Sequence, residues 1–218
     1  MKKVLSLLVL GLLAPVGSGL AADSPQPNIV LLLADDLGWA DLGCYGSPFH
    51  ETPHLDRLAR EGTRFTHYYT AGTVCSPTRA SLMTGKYPVR TGITDWIPGM
   101  KDPKNSRVLT TPSRTSLASE EFTFARAFRA AGYRTFYTGK WHLGLADAGL
   151  KEYGRDEYVG DIGGAQVGEA VRTKPRDPVE SLKNRRDSTA RFTQASLDFI
   201  GRQGRSEPFL LMLSYHDP

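Results

Sequence analysis

Two unbroken apolar runs, NIVLLLA at 28–34 and PFLLMLSY at 208–215, constrain the fold more than any other feature of the chain. Each is far too short to cross a bilayer, which takes about 20 apolar residues. Neither alternates polar and apolar residues, as a strand with one wet face would. Such runs suit strands buried on both faces, and sheets of that kind are mostly parallel with helices above and below. The segments between them fit this pattern. TPHLDRLAREG (52–62) reads as a helix capped by Thr52 and opened by Pro53, with Leu55, Leu58 and Ala59 as its apolar face. TRFTHYYT (63–70) is strand-like, EFTFARAFRAAG (121–132) is a helix ended by Gly132, and YRTFYTGK (133–140) is the next strand. TARFTQASLDFIGRQG (189–204) is a further helix, with Phe192, Leu197 and Ile200 among its apolar residues. Strand and helix in alternation predict an α/β domain with a mostly parallel central sheet flanked by helices. Residues 95–119 and 146–187, rich in Pro, Gly, Arg and Asp, are expected to form long surface loops or an insertion. The second apolar run is followed almost at once by the last residue, Pro218. A core strand with no covering element after it leads us to expect a truncated chain.

The N-terminus has the organisation of a secretory leader over residues 1–22. Lys2 and Lys3 precede the short apolar run Val4 to Leu13, and small residues from Gly17 to Ala22 offer a cleavage site after Ala21 or Ala22. The sequence thus predicts an exported protein, periplasmic or secreted, with residues 23–218 as the domain and no stable membrane association. The chain carries 27 basic and 23 acidic residues, and without the two leader lysines the excess falls from +4 to +2. That is too slight to point to nucleic acid. Export also allows a disulfide between the two cysteines, Cys44 and Cys75. The surroundings of Cys75 suggest another use. In TVCSPTRASLMTG (73–85), Pro77 suits the first position of a helix with Ser76 as its N-cap, and Gly85 closes it. Cys75 and Arg79, four residues apart, then share the positive end of that helix, which is an anion site with a reactive group in it.

Three other clusters carry chemistry. Asp35 and Asp36 end the first apolar run, and ligands of open α/β sheets bind at the carboxyl ends of strands. Adjacent carboxylates there either hold a cation, Ca²⁺ or Mg²⁺ rather than zinc given all-oxygen donors, or simply cap a turn. In GKWHLG (139–144), Lys140 and His142 lie two apart, so an extended backbone would point both the same way. They could bind an anion and move protons, or flank a buried Trp141 as a solvated lysine and a hydrogen-bonded histidine. HETPH (50–54) matches a zinc-protease pattern, but that pattern needs a continuous helix and Pro53 interrupts it.

Taken in order along the chain, these segments resemble the N-terminal part of the formylglycine-dependent sulfatases, within the alkaline phosphatase-like superfamily. The resemblance runs from about Pro27 to the end through PNIVLLLADDLGWADLGCYG, TPHLDRLAREGTRFTHYY, CSPTRASLMTG with its C-x-P-x-R core, and GKWHLG. It is weaker at 95–119 and 150–187, where Arg155 stands at a position that is aromatic in many relatives. It implies that a separate formylglycine-generating enzyme oxidises Cys75 to an aldehyde. One hydroxyl of the hydrated aldehyde attacks the sulfur of a sulfate ester, and the other then expels sulfate by collapse. By the same resemblance Asp35, Asp36 and the modified Cys75 bind Ca²⁺, Arg79 orients and stabilises the residue-75 oxygens, Lys140 contacts sulfate, and His142 takes a proton as sulfate leaves. The substrate implied is a sulfated carbohydrate or an aryl sulfate. A further histidine one position past Pro218, a second metal-binding pair and a later lysine are also implied; His216 is not that histidine. On this expectation the chain alone binds calcium poorly and is inactive. A phosphate or phosphonate ester hydrolase on the same scaffold and an inactive secreted fragment are the alternatives.

Overall fold

The computed structural model of the protein describes residues 26–100, 102, 104–144, 153–159, 178–204, 207–216 and 218, with the backbone alone over 178–186. The leader read at 1–22 lies outside these residues, as does much of the segment read as loop between 146 and 187. Four strands make one parallel sheet: β1 (Ile29–Leu33), β2 (Arg134–Gly139), β3 (Glu157–Val159) and β4 (Phe209–Ser214), in the order β1-β4-β2-β3. The helices are α1 (Pro53–Glu61), α2 (Cys75–Thr84), α3 (Pro88–Thr91), α4 (Phe124–Ala130) and α5 (Pro178–Arg202).

β4 lies inside the sheet and is buried along its whole length. Its side chains alternate between two faces, as the period of a strand requires. Leu210 and Met212 join Ala80 and Met83 of α2, Ala125 of α4, and Tyr137. Phe209 and Leu211 join Phe136 of β2 and Phe199 of α5. Phe199 stacks on Phe136 at 4.6 Å and meets Phe209 edge-on at 5.5 Å. Full burial of each such ring contributes about 1.5–3 kcal/mol. β2 and β4 are therefore covered on both sides, and they aim their carboxyl ends at the N-terminus of α2. Gly139 makes that end of the sheet possible: its φ is +102°, and a Cβ there would stand 1.8 Å from the Ser214 carbonyl oxygen. Without one, Lys140 N–H donates to that oxygen at 2.8 Å.

Several elements differ from expectation. β1 is not buried on both faces: Val30 is 48% and Leu32 53% exposed, while Ile29, Leu31 and Leu33 pack on the core. β1 is an edge of the described sheet, and α5, on the side that Val30 and Leu32 face, packs on β2 and β4. Residues 63–70 form no strand; they are irregular and exposed, because β-propensity yields a strand only where a partner strand lies alongside. α1 starts at Pro53 as expected, but Leu55 and Leu58 are exposed, and the Thr52 hydroxyl accepts from Gly43 N–H instead of capping the helix. α2 begins at Cys75 with Val74 as its N-cap, so Ser76 and Pro77 sit inside the first turn. α4 is shorter than read, and Thr123 caps it by accepting from Arg126 N–H. On α5, Phe192 and Phe199 are buried whereas Leu197 and Ile200 are exposed. The segment read as loop at 146–187 contains β3 and the first turns of α5.

Candidate active site

The carboxyl ends of three parallel strands meet the N-terminus of α2, and one side chain ties them together. Arg79, one turn into α2, is buried. Its Nη1 donates to the Lys140 carbonyl after β2 (2.7 Å) and to the Ser214 hydroxyl ending β4 (2.6 Å). Its Nη2 donates to Asp35 Oδ1, just past β1, at 3.2 Å. The second oxygen of Asp35 accepts from Lys140 Nζ. Burial pushes the Asp35 carboxyl up, but the hydrogen bond from Lys140 and the charges of Arg79 and Lys140 outweigh it and hold the group below its ordinary value. Arg79 Nε is buried without a hydrogen-bond partner.

Cys75, the first residue of α2, is half-buried, and its Sγ lies 3.0 Å from His142 Nδ1. The other ring nitrogen, Nε2, lies 2.7 Å from the Ile97 carbonyl oxygen. A carbonyl only accepts, so Nε2 carries the proton, and in the neutral ring Nδ1 turns its lone pair on residue 75. The Ile97 amide in turn donates to Ser76 Oγ at 3.0 Å, closing a short loop of contacts back to Cys75. Burial raises the Cys75 thiol, yet the His142 hydrogen bond and the Lys140 charge bring it below its ordinary value. The arrangement can therefore supply a nucleophile at residue 75, a base at His142 and two cations beside them.

Of the residues singled out in the sequence, Asp35, Cys75, Arg79, Lys140 and His142 converge; Asp36 does not. It is exposed with φ +57°, so the two adjacent carboxylates diverge, one buried and one in solvent. Lys140 and His142 also point apart, because the segment after β2 is not extended: His142 has φ +53°. Lys140 turns to Asp35 and His142 to Cys75. The two cysteines are both free thiols. Pro53 opens α1 and His50 lies before it, so HETPH forms no paired-histidine face. Sequence reading missed Ser214, Ile97 and Tyr137, whose hydroxyl also donates to the Lys140 carbonyl. Only the position of Ser214 at the end of a buried strand could have signalled it.

Among the described residues no three His, Cys, Asp or Glu side chains gather into a metal cage. The donor chemistry at the end of β1 nevertheless fits one flank of an oxygen-ligated divalent ion. Asp35 is held ionised and already takes positive groups on both oxygens, with Asp36 beside it in the chain.

The family model described as Sulfatase matches residues 27–218, and the chain belongs to that family. It is 49% identical over 138 residues to human (Homo sapiens) arylsulfatase A, covering 63% of this chain and 25% of that protein. It is 36% identical over 211 residues to human N-acetylgalactosamine-6-sulfatase, covering 88% of this chain and 39% of that protein. Among solved structures it is similar to Ps i-CgsB in complex with k-i-k-neocarrahexaose, with a TM-score of 0.67 and 27% identity over 89% of this chain and 46% of that one. The chain thus spans less than half the length of each of these relatives. Its parallel sheet and flanking helices are the alkaline phosphatase-like arrangement of the sulfatases.

Replacing Arg79 by Met should cost about 3–5 kcal/mol, because it breaks a buried ion pair, leaving Asp35 to Lys140 alone, and removes the donor shared by two strand ends. Asp35→Asn in the same protein should restore part of that loss. Urea unfolding of wild type, R79M, D35N and R79M/D35N checks this; full additivity of the two substitutions would contradict the coupling.

Proposed function

We propose that the protein hydrolyses sulfate esters with residue 75 as nucleophile, after a formylglycine-generating enzyme has converted Cys75 to formylglycine. The observation that carries this reading is the convergence of Cys75, Arg79, Lys140, His142 and Asp35 at the N-terminus of α2, in a chain of the sulfatase family. Cys75 Sγ stands where an oxygen of the hydrated aldehyde would be. Hydrated formylglycine supplies one hydroxyl to attack sulfur and a second whose deprotonation expels sulfate.

The chain's own residues do the rest. His142 accepts the proton of the residue-75 hydroxyl at Nδ1, while Nε2–H stays on the Ile97 carbonyl and fixes the ring. Arg79 holds the strand ends in register and sets positive charge beside the nucleophile. Lys140 offers an ammonium to the oxygens of the sulfate group, where negative charge builds during transfer. Asp35 and residue 75, joined by Asp36 once its exposed side chain turns inward, would hold a calcium ion, with magnesium as the weaker fit; when bound, it would offset negative charge at the reacting oxygens. A sulfated carbohydrate or aryl sulfate is the substrate class. The names of arylsulfatase A and N-acetylgalactosamine-6-sulfatase, and the neocarrahexaose complex of the structural relative, support it. The leader-like residues 1–22 support export to the periplasm or outside the cell. No helix among the described residues is long and apolar enough to cross a membrane.

Co-expression of the whole protein with a formylglycine-generating enzyme should remove the mass of H₂S less one oxygen from the Cys75 peptide and leave Cys44 a thiol. The converted protein should release sulfate from an aryl sulfate faster than phosphate from the matching phosphate monoester. Cys75→Ala should lower turnover by about 10³-fold or more. Near-normal turnover of that variant would sink the mechanism, and a preference for phosphate would favour a phosphoester hydrolase.

Calcium should also raise the melting temperature of the whole protein, since it binds the folded state; saturation at 100 Kd corresponds to about 2.7 kcal/mol. Asp36→Asn should shrink that shift. A melting curve indifferent to calcium and to chelator would remove the metal from the site.

A further inference from the structure

Arg155 is 2% exposed, yet none of the ion pairs among the described residues includes it. The adjoining carboxylate, Asp156, is turned to Arg129 (3.1 Å) and to the Thr135 amide (2.9 Å). The Arg155 guanidinium sits instead in the corner between two perpendicular rings, with its carbon 3.8 Å from the centre of Tyr137 and 3.9 Å from that of Trp141. Nη2 reaches Met83 Sδ at 3.6 Å, and Nη1 has no hydrogen-bond partner. Burial lowers the group to about 10, with Tyr137 and Tyr153 opposing the shift, so it stays a cation at neutral pH.

A buried, unpaired cation is expensive, and an apolar side chain of similar volume would fill the same corner at less cost. The two rings that compensate it partly, by cation–π attraction, are those that bracket the proposed site. The Tyr137 hydroxyl donates to the Lys140 carbonyl, which Arg79 also holds. Trp141 lies between Lys140 and His142, and its indole N–H donates to the Gly144 carbonyl at 2.7 Å. His142 follows in a left-handed backbone conformation, which a histidine keeps only when its surroundings hold it there.

We propose that Arg155 is a positioning residue: its guanidinium pins the Tyr137 and Trp141 rings, and through them the turn that carries Lys140 and His142. Its importance to turnover rests on the sulfatase reading given above. The cation over the phenol ring draws electron density from it and makes the hydroxyl a better donor to the Lys140 carbonyl. Without the cation both rings gain freedom, and His142 loses its fixed approach to residue 75.

The test uses the whole protein, matured with a formylglycine-generating enzyme, as wild type, R155M, R155K, Y137F and R155M/Y137F. R155M should melt at or above the wild type, while kcat falls between about tenfold and a hundredfold with KM unchanged. R155K should not restore kcat, because an ammonium on a thin stem cannot hold two rings. The effect of R155M should shrink in the Y137F background. A kcat for R155M within about twofold of wild type overturns the proposal. So does an R155M protein that melts far below wild type, since Arg155 would then be a structural residue. A readout independent of turnover is the long-range ¹H–¹⁵N spectrum of the His142 imidazole in unconverted protein. The wild type should show the Nε2-protonated ring and R155M a mixture of tautomers; identical spectra overturn the proposal. If the wild type hydrolyses no sulfate ester but R155M changes this spectrum, the sulfatase reading falls and the positioning role stands.

Discussion

The rest of this molecule is arranged around one buried guanidinium. Arg79 cannot lie in a core without partners, because the cost of an uncompensated charge there exceeds what packing returns. It finds Asp35, the Ser214 hydroxyl and the Lys140 carbonyl, which are the ends of three different strands. The register of the parallel sheet is what brings those ends level. Once they are level, the strand-following residues Asp35 and Lys140 must face the N-terminus of α2, where Cys75 sits. A single ionic requirement thus fixes the place where Cys75 and His142 meet two cations.

The second constraint is the turn after β2. Gly139 lets the chain pass against the Ser214 carbonyl, and His142 then takes a left-handed conformation that sends its ring back toward residue 75. A regular extended chain would have put Lys140 and His142 on one side. The turn separates them, giving the lysine to Asp35 and the histidine to Cys75. The Ile97 carbonyl completes the arrangement by claiming Nε2, so that the nitrogen facing residue 75 is the basic one.

Much of this was legible from the chain itself. The apolar runs marked β1 and β4, and the alternation of elements marked the parallel sheet. Cys75, Arg79, Lys140, His142 and Asp35 were each picked out by residue type and place at an element end. What failed was whatever depends on a neighbour. Val30 and Leu32 look as apolar as Leu210 and Leu211, and only the reach of α5 over β2 and β4 decides which are covered. Asp36 looks equivalent to Asp35 until the backbone turns it outward. Ile97 carries no local signal and Ser214 only its place at the end of a buried strand, because their importance comes from residues dozens of positions away. That of Arg155 comes from the rings of Tyr137 and Trp141, on and just after β2.

The central claim is that an oxygen held by residue 75 attacks sulfur, with the oxygen of the leaving alcohol untouched. Turnover of a sulfate ester by the converted whole protein in H₂¹⁸O tests it most directly. The account requires ¹⁸O in the released sulfate and none in the alcohol, since the bond that breaks is between sulfur and the ester oxygen. ¹⁸O in the alcohol would mean cleavage at carbon and would contradict it.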